Sequence, residues 1–84
     1  METTEEMLYR AFNNLVIEEM DKNPTTFDGQ LGGMWLMRLI GDIKTNIFLN
    51  APDETLSEIG ISRNENNEIC ERITEKILNK YLKS

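Results

Sequence analysis

Residues 31–49, LGGMWLMRLIGDIKTNIFL, form the most apolar part of the chain and indicate its fold class. Apolar side chains recur there at helical spacing, so one side of a helix can fill a core with five residues: Leu36, Leu39, Ile40, Ile43 and Ile47. Arg38, Asp42 and Lys44 interrupt the apolar run, so it does not qualify as a membrane span. The pattern predicts a long helix over about 27–49.

A second side of the same helix is also apolar. Met34, Met37, Gly41 and Phe48 follow one another at intervals of three, four and seven residues, which is typical of a helix-pairing seam. Trp35 lies at the border of the core stripe. Three interpretations stay open: this side is buried within the monomer, it pairs with a second copy, or it binds another protein. Methionine suits adaptable interfaces and tryptophan is enriched at binding hot spots, so we predict a protein interface at these five residues.

The remaining helices are predicted from their ends. Thr3 with Glu6, and Ser62 with Glu65, have the spacing of capping boxes, in which side chains and backbone at a helix start satisfy each other. Gly60 is placed just past the end of a short helix. We expect an all-α single domain over residues 1–84, a small antiparallel helical bundle with three long helices and one short helix, at about 4–21, 27–49, 63–82 and 52–59 respectively.

Composition excludes several classes of function. Among 84 residues, 15 are acidic and 9 are basic, giving a net charge of −6 that disfavours nucleic acid and membrane surfaces as partners. The absence of histidine removes the commonest general base and most catalytic zinc sites. The single Cys70 suits a reducing compartment, and the acidic start METTEEMLYR does not resemble a signal peptide. We expect a cytoplasmic, non-catalytic protein without cofactor or metal.

Two candidate surfaces lie on the predicted helix 63–82. Glu68, Glu71 and Glu75 form an acidic face that could complement a basic partner. Alternatively, residues 56–69 have the order of a helix-turn-helix motif, whose second helix would present base-reading side chains: Arg63, Asn64, Asn66 and Asn67. The glutamates in the same turns repel phosphates, so a plain helix-to-helix connection is the simpler interpretation.

In size, acidity and helix order, the chain resembles the immunity proteins that block nuclease bacteriocins, although the tyrosine pair of their recognition segment is absent before Pro52. Acyl carrier proteins are similar in size and charge, but residues 27–31, FDGQL, lack the serine that carries their prosthetic arm. Both resemblances are therefore of outline, and neither assigns a functional residue to this chain.

Together these patterns predict a small acidic interaction protein. We expect it to bind and modulate another macromolecule, as an inhibitor or adaptor of the kind found in phage and mobile elements, and to form a homodimer. Two alternatives stay open: a helix-turn-helix regulator that binds DNA through Arg63–Asn67, and an oligomer that traps a small ligand at its subunit interface.

Overall fold

The computed structural model describes residues 1–82 and is all-α over that range, as the sequence predicts. Its helices are α1 (Thr4–Lys22), α2 (Pro24–Asp28), α3 (Gly32–Ile43), α4 (Asp53–Ile59) and α5 (Arg63–Leu82). Between α3 and α4, the backbone of Lys44–Leu49 forms π-helical turns, and we call these residues the π segment. Helices α1, α4 and α5 lie in the regions where the sequence places helices.

Local signals in the sequence explain where α1, α4 and α5 begin and end. The Glu6 amide donates a hydrogen bond of 3.1 Å to the Thr3 hydroxyl, and the Glu6 carboxylate accepts one from the Thr3 amide, so the predicted capping box is confirmed. Ser62 and Glu65 form the same reciprocal pair at the start of α5. Gly60 has φ of 88°, the left-handed conformation that glycine adopts at a helix end without strain.

The prediction of one helix over 27–49 is wrong at its start. Pro24 begins α2 rather than only ending α1, because proline is well suited to the first position of a helix. Residues 29–31 then form a turn, and α3 begins at Gly32. A Cβ atom at Gly32 would lie 2.0 Å from the Phe27 carbonyl oxygen, so the turn brings α2 and α3 closer than any other residue permits.

The π segment corrects the predicted role of Phe48. A π-helix closes i→i+5 hydrogen bonds and holds more residues in each turn than an α-helix, so side chains after Ile43 fall out of the α-helical phase. Phe48 is buried, with 7 % of its surface exposed, and Ile47 is 48 % exposed. The expectation that Ile47 fills the core while Phe48 lies beside Met34 and Met37 is therefore wrong.

The long helices pack around a core at the centre of the bundle. Glu5 bonds to Arg72 and Asn13 bonds to Tyr81, so α1 and α5 run in the same direction. Lys44 pairs with Glu71, and the Phe48 carbonyl accepts a bond from Asn66, so α3 and its π segment run opposite to α5. The rings of Phe12 and Phe48 stack with centroids 5.0 Å apart. The rest of the buried cluster comes from α1, α3 and α5: Leu8, Val16, Leu36, Ile40, Ile43, Ile69, Cys70, Ile73 and Ile77.

Candidate functional site

Four large apolar side chains are exposed on α3 and in the turn before it. Leu31, Met34, Trp35 and Met37 have 59, 58, 41 and 57 % of their surface exposed. Met34 lies opposite the side of α3 that buries Leu36, Ile40 and Ile43. Trp35 and Met37 lie on the two flanks of α3, between those sides. We call these four residues the apolar face. Three of the predicted interface residues, Met34, Trp35 and Met37, belong to it, and Phe48 does not.

Gly41 leaves the surface of α3 flat near the end of the helix. It is exposed, and a Cβ atom built on it would meet no atom within 4 Å. Gly41 follows Met37 by four residues and Met34 by seven, so all three lie on one side of α3. The predicted spacing of this seam is thus preserved from Met34 to Gly41 and lost beyond Ile43, where the π segment begins.

Two opposite charges lie within the apolar face, because the helical repeat places Arg38 and Asp42 between Met34 and Trp35. The guanidinium of Arg38 lies over the indole ring of Trp35, 5.9 Å from its centroid. Asp42 follows four residues later on the same flank of α3 and is exposed. Within residues 1–82, neither Arg38 nor Asp42 forms a salt bridge, whereas Lys44 pairs with Glu71 at 2.6 Å.

A small groove continues the Trp35 flank along α3. It encloses about 200 Å³ between α1 and the end of α3. Leu15, Leu39 and Ile47 provide apolar walls, while Asp42 and Asn46 provide polar atoms at its edge. The groove is smaller than the roughly 300–1,000 Å³ typical of small-molecule sites. Its size suits one side chain better than a metabolite.

The predicted acidic face on α5 is exposed, but its charges are partly paired. Glu71 binds Lys44, which lies at the start of the π segment. Glu68 and Glu75 are exposed, and neither forms a salt bridge within the described residues. The structure therefore leaves two of the three predicted carboxylates available to a basic partner.

The predicted DNA-reading residues do not act as one set. The Arg63 guanidinium donates to the carbonyls of Leu49 and Ala51, at 3.1 and 2.7 Å, and pairs with Asp53 at 2.6 Å. Asn66 is 2 % exposed, and its amide donates to the Phe48 carbonyl at 2.8 Å.

These bonds satisfy backbone carbonyls at the end of the π segment and in the loop after it. Only Asn64 and Asn67 of the predicted four are exposed without such bonds in the described part of the chain. The hydrogen bonds of Arg63 and Asn66 thus support the simpler interpretation of a connection between helices.

A wide, charged groove lies between the start of α1 and α5. It encloses about 770 Å³ and is lined by Glu2, Arg10, Tyr9 and Lys76 among others. The hydrogen bond from Arg10, at 2.7 Å, lowers the pKa of Glu2 below its ordinary value.

Glu5 lines the same groove. Its bond to Arg72, at 2.8 Å, is the main cause that lowers the pKa of the Glu5 carboxyl. Carboxylates held ionised by cations are poor general acids. Sequence reasoning missed this cluster, because Glu5 and Arg72 are 67 positions apart and meet only through the packing of α1 on α5.

Cys70 lies within the core rather than at a reactive surface. Burial raises the pKa of its thiol, which favours the uncharged form. Within the described residues, no group of three or more His, Cys, Asp or Glu side chains is placed to hold a metal ion. Over residues 1–82, no helix combines the length and the hydropathy needed to cross a bilayer.

Comparisons with models of protein families, with curated proteins and with solved structures find no match to this chain. Any functional proposal therefore depends on the surfaces described above, and the most distinctive of them is the apolar face of α3.

Proposed function

We propose that the protein is a non-catalytic interaction protein that binds another macromolecule and modulates it, as an inhibitor or adaptor. The observation that carries the proposal is the apolar face: four large apolar side chains of one short helix and the turn before it are exposed to water, while the buried cluster is built from other residues. Large apolar side chains exposed on one element and rimmed by polar residues are typical of interaction sites on small soluble proteins.

The residue types of the apolar face support protein binding. Trp35 offers a large, rigid contact area, and tryptophan is among the residues that dominate binding energy at interfaces. Met34 and Met37 adapt their shape to a partner because the side chain is unbranched and polarizable. Association would remove apolar surface of these side chains from water, which contributes about 25 cal/mol for each Å² buried.

The acidic character of the chain supports a basic partner. With a net charge of −6 and exposed Glu68 and Glu75 on α5, the protein attracts positively charged surfaces over several ångströms. Such charge mainly raises association rate and specificity, while the apolar face contributes binding energy. A cytoplasmic location is part of the proposal, because a free cysteine is compatible with a reducing compartment.

The experiment is affinity capture from a native lysate, with retained proteins identified by mass spectrometry. The native protein is compared with Met34→Glu/Met37→Glu, which places charge in the apolar face. The matched control is Ile17→Glu, since Ile17 is an exposed apolar residue on α1, 40 % exposed, outside that face. We expect the double variant to lose specific partners that the control retains. An identical set of retained proteins for all three would contradict the proposal.

A further inference from the structure

We propose that the apolar face binds a second copy of the same chain, with the two α3 helices antiparallel about a two-fold axis near the level of Ile40. In this dimer, Trp35 of each copy enters the groove between α1 and α3 of the other. The inference rests on the proposed function and adds to it: the apolar face pairs two copies, while the exposed Glu68 and Glu75 of each copy stay available to the basic partner.

Charge favours the antiparallel orientation. Arg38 and Asp42 lie on the same flank of α3, two residues to either side of Ile40, and neither has a salt bridge within residues 1–82. A two-fold axis perpendicular to the helices brings the same flank of each copy together and reverses the direction of the second helix. Arg38 of each copy therefore faces Asp42 of its partner, which gives two ion pairs. In a parallel pair the two-fold axis runs along the helices and places like flanks on opposite sides, so Arg38 would not face Asp42 of its partner.

The same symmetry brings Trp35 to the groove. Trp35 lies five residues before Ile40, so in the partner it reaches the level of residue 45, beside Asn46 and Ile47. The groove there encloses about 200 Å³, has apolar walls and opens on the Trp35 flank. Asp42 and Asn46 at its edge offer oxygen atoms to the indole N–H, which needs a hydrogen-bond acceptor when it is buried.

The opposite flank is also self-complementary. Met37 of one copy reaches the level of residue 43 in the partner, about 3 Å along the axis from Gly41. Because a Cβ atom on Gly41 would meet nothing within 4 Å, the flat surface there can receive the methionine side chain. Each flank thus provides both a projecting side chain and the space that receives it, as an isologous interface requires.

Chain size gives a reason for the dimer to exist. A chain of 84 residues has a small core, and burial of surface between two copies adds apolar contacts that a larger domain would obtain internally. In such a dimer Trp35, Met34 and Met37 contact the second copy, and they are exposed only when the two copies are separate.

The first experiment measures mass by analytical ultracentrifugation over a range of concentrations. We expect a monomer–dimer equilibrium that Trp35→Ala weakens by about thirtyfold or more, as for a hot-spot residue. Ile17→Ala is the matched control, because Ile17 is exposed to a similar extent but lies outside the face, and we expect it to leave the equilibrium unchanged. A chain that stays monomeric at all concentrations would overturn the proposal.

Charge reversal tests the pairing of Arg38 with Asp42. Arg38→Asp and Asp42→Arg should each weaken dimerisation by tenfold or more, because each variant carries two like charges on the pairing flank. Mixing the two variants should restore the dimer, since the two negative side chains of one then face the two positive side chains of the other. A mixture that stays monomeric while the native chain dimerises would overturn this pairing.

Spin-label distances test the orientation. Glu75 lies at the level of Ile40 in α3, and Glu68 lies seven residues further along α5, given the pairing of Lys44 with Glu71 and of Phe48 with Asn66. In the antiparallel dimer, labels at Glu68→Cys are offset along the axis by roughly 20 Å more than labels at Glu75→Cys. Equal distances at the two sites would overturn the antiparallel arrangement.

The outcomes separate this inference from the proposed function. A chain that stays monomeric, yet captures lysate proteins only when its apolar face is intact, overturns the dimer and leaves the interaction function standing. Loss of both self-association and face-dependent capture would overturn both.

Discussion

Replacement of Asn66 measures how much one side-chain hydrogen bond to the π segment stabilises the fold. Its side-chain amide donates to the Phe48 carbonyl at 2.8 Å, and the residue is 2 % exposed. Asn66→Ala removes the donor and leaves that carbonyl without this partner. The carbonyl keeps bonds from the Asn50 and Ala51 amides, so the variant loses one hydrogen bond, which contributes about 0.5–1.5 kcal/mol. We therefore expect the free energy of unfolding to fall by about 1 kcal/mol, which lowers Tm by about 4–8 °C in a domain of this size.

The assay is urea denaturation followed by far-UV circular dichroism, with thermal melts as a second measurement. Asn67→Ala is the control, because Asn67 is the next residue of α5, is exposed, and gains the same helix propensity on replacement. We expect the control to change stability by less than about 0.5 kcal/mol. Equal losses in the two variants, or a loss below about 0.5 kcal/mol in Asn66→Ala, would refute the assigned role of this hydrogen bond.

Three further predictions concern a close approach, an ion pair and the π segment. Gly32→Ala should destabilise the fold by more than 1 kcal/mol, because the added Cβ would lie 2.0 Å from a backbone carbonyl, whereas Gly41→Ala should stabilise dilute protein by about 0.5–1 kcal/mol in urea denaturation. The folded-state pKa of Glu5 lies below its ordinary value of 4.5. The stability that the ionised Glu5 carboxylate contributes through its bond to Arg72 is therefore present above that pH and is lost as pH falls through the folded pKa. Glu5→Gln should therefore flatten the loss of stability on acidification, and an unchanged acid profile would contradict this. Deletion of exposed Thr45 should convert the π segment to α-helix with the core retained, so that near-UV circular dichroism and cooperative unfolding persist, and loss of cooperativity would count against it.

Local chemistry explains why much of the fold could be predicted. The capping boxes at Thr3 and Ser62 depend on residues three positions away, and the left-handed Gly60 depends only on its own backbone. Periodicity correctly assigned Leu36, Ile40 and Ile43 to the core, since α3 is regular as far as Ile43. These features need no knowledge of the rest of the chain.

The π segment could not be predicted in this way, because distant residues support it. Phe48 stacks on Phe12 from α1, and its carbonyl accepts a bond from Asn66 in α5, so contacts from two other helices stabilise a backbone that departs from α-helical phase. A constant helical repeat placed Phe48 on the outer side. Tertiary packing determined the outcome here.

Only part of the candidate site could be predicted, because the regular helical repeat of α3 stops where the π segment begins. Met34, Met37 and Gly41 precede the π segment, so their spacing gave the correct side of α3. The groove between α1 and α3 had no signal in the sequence, since Leu15 and Ile47 meet only in the folded chain. Periodicity left three interpretations of this side of α3 open, and the exposure of Met34 and Met37 argues against the first of them, burial within the monomer.

Arg63 also has a consequence for engineering. Arg63 is the first residue of α5, and by binding the carbonyls of Leu49 and Ala51 and the Asp53 carboxylate it fixes the entry of the chain into α4 beside the start of α5. Residues 54–62 then form a loop closed by the bond between Asp53 and Arg63. Doubling the length of such a loop lowers stability by only about 0.6 kcal/mol. The amide of Gly60 donates to the Leu56 and Ser57 carbonyls and ends α4, so an epitope or a fluorescent reporter is better inserted after this cap, between Ile61 and Ser62, which lie outside both helices.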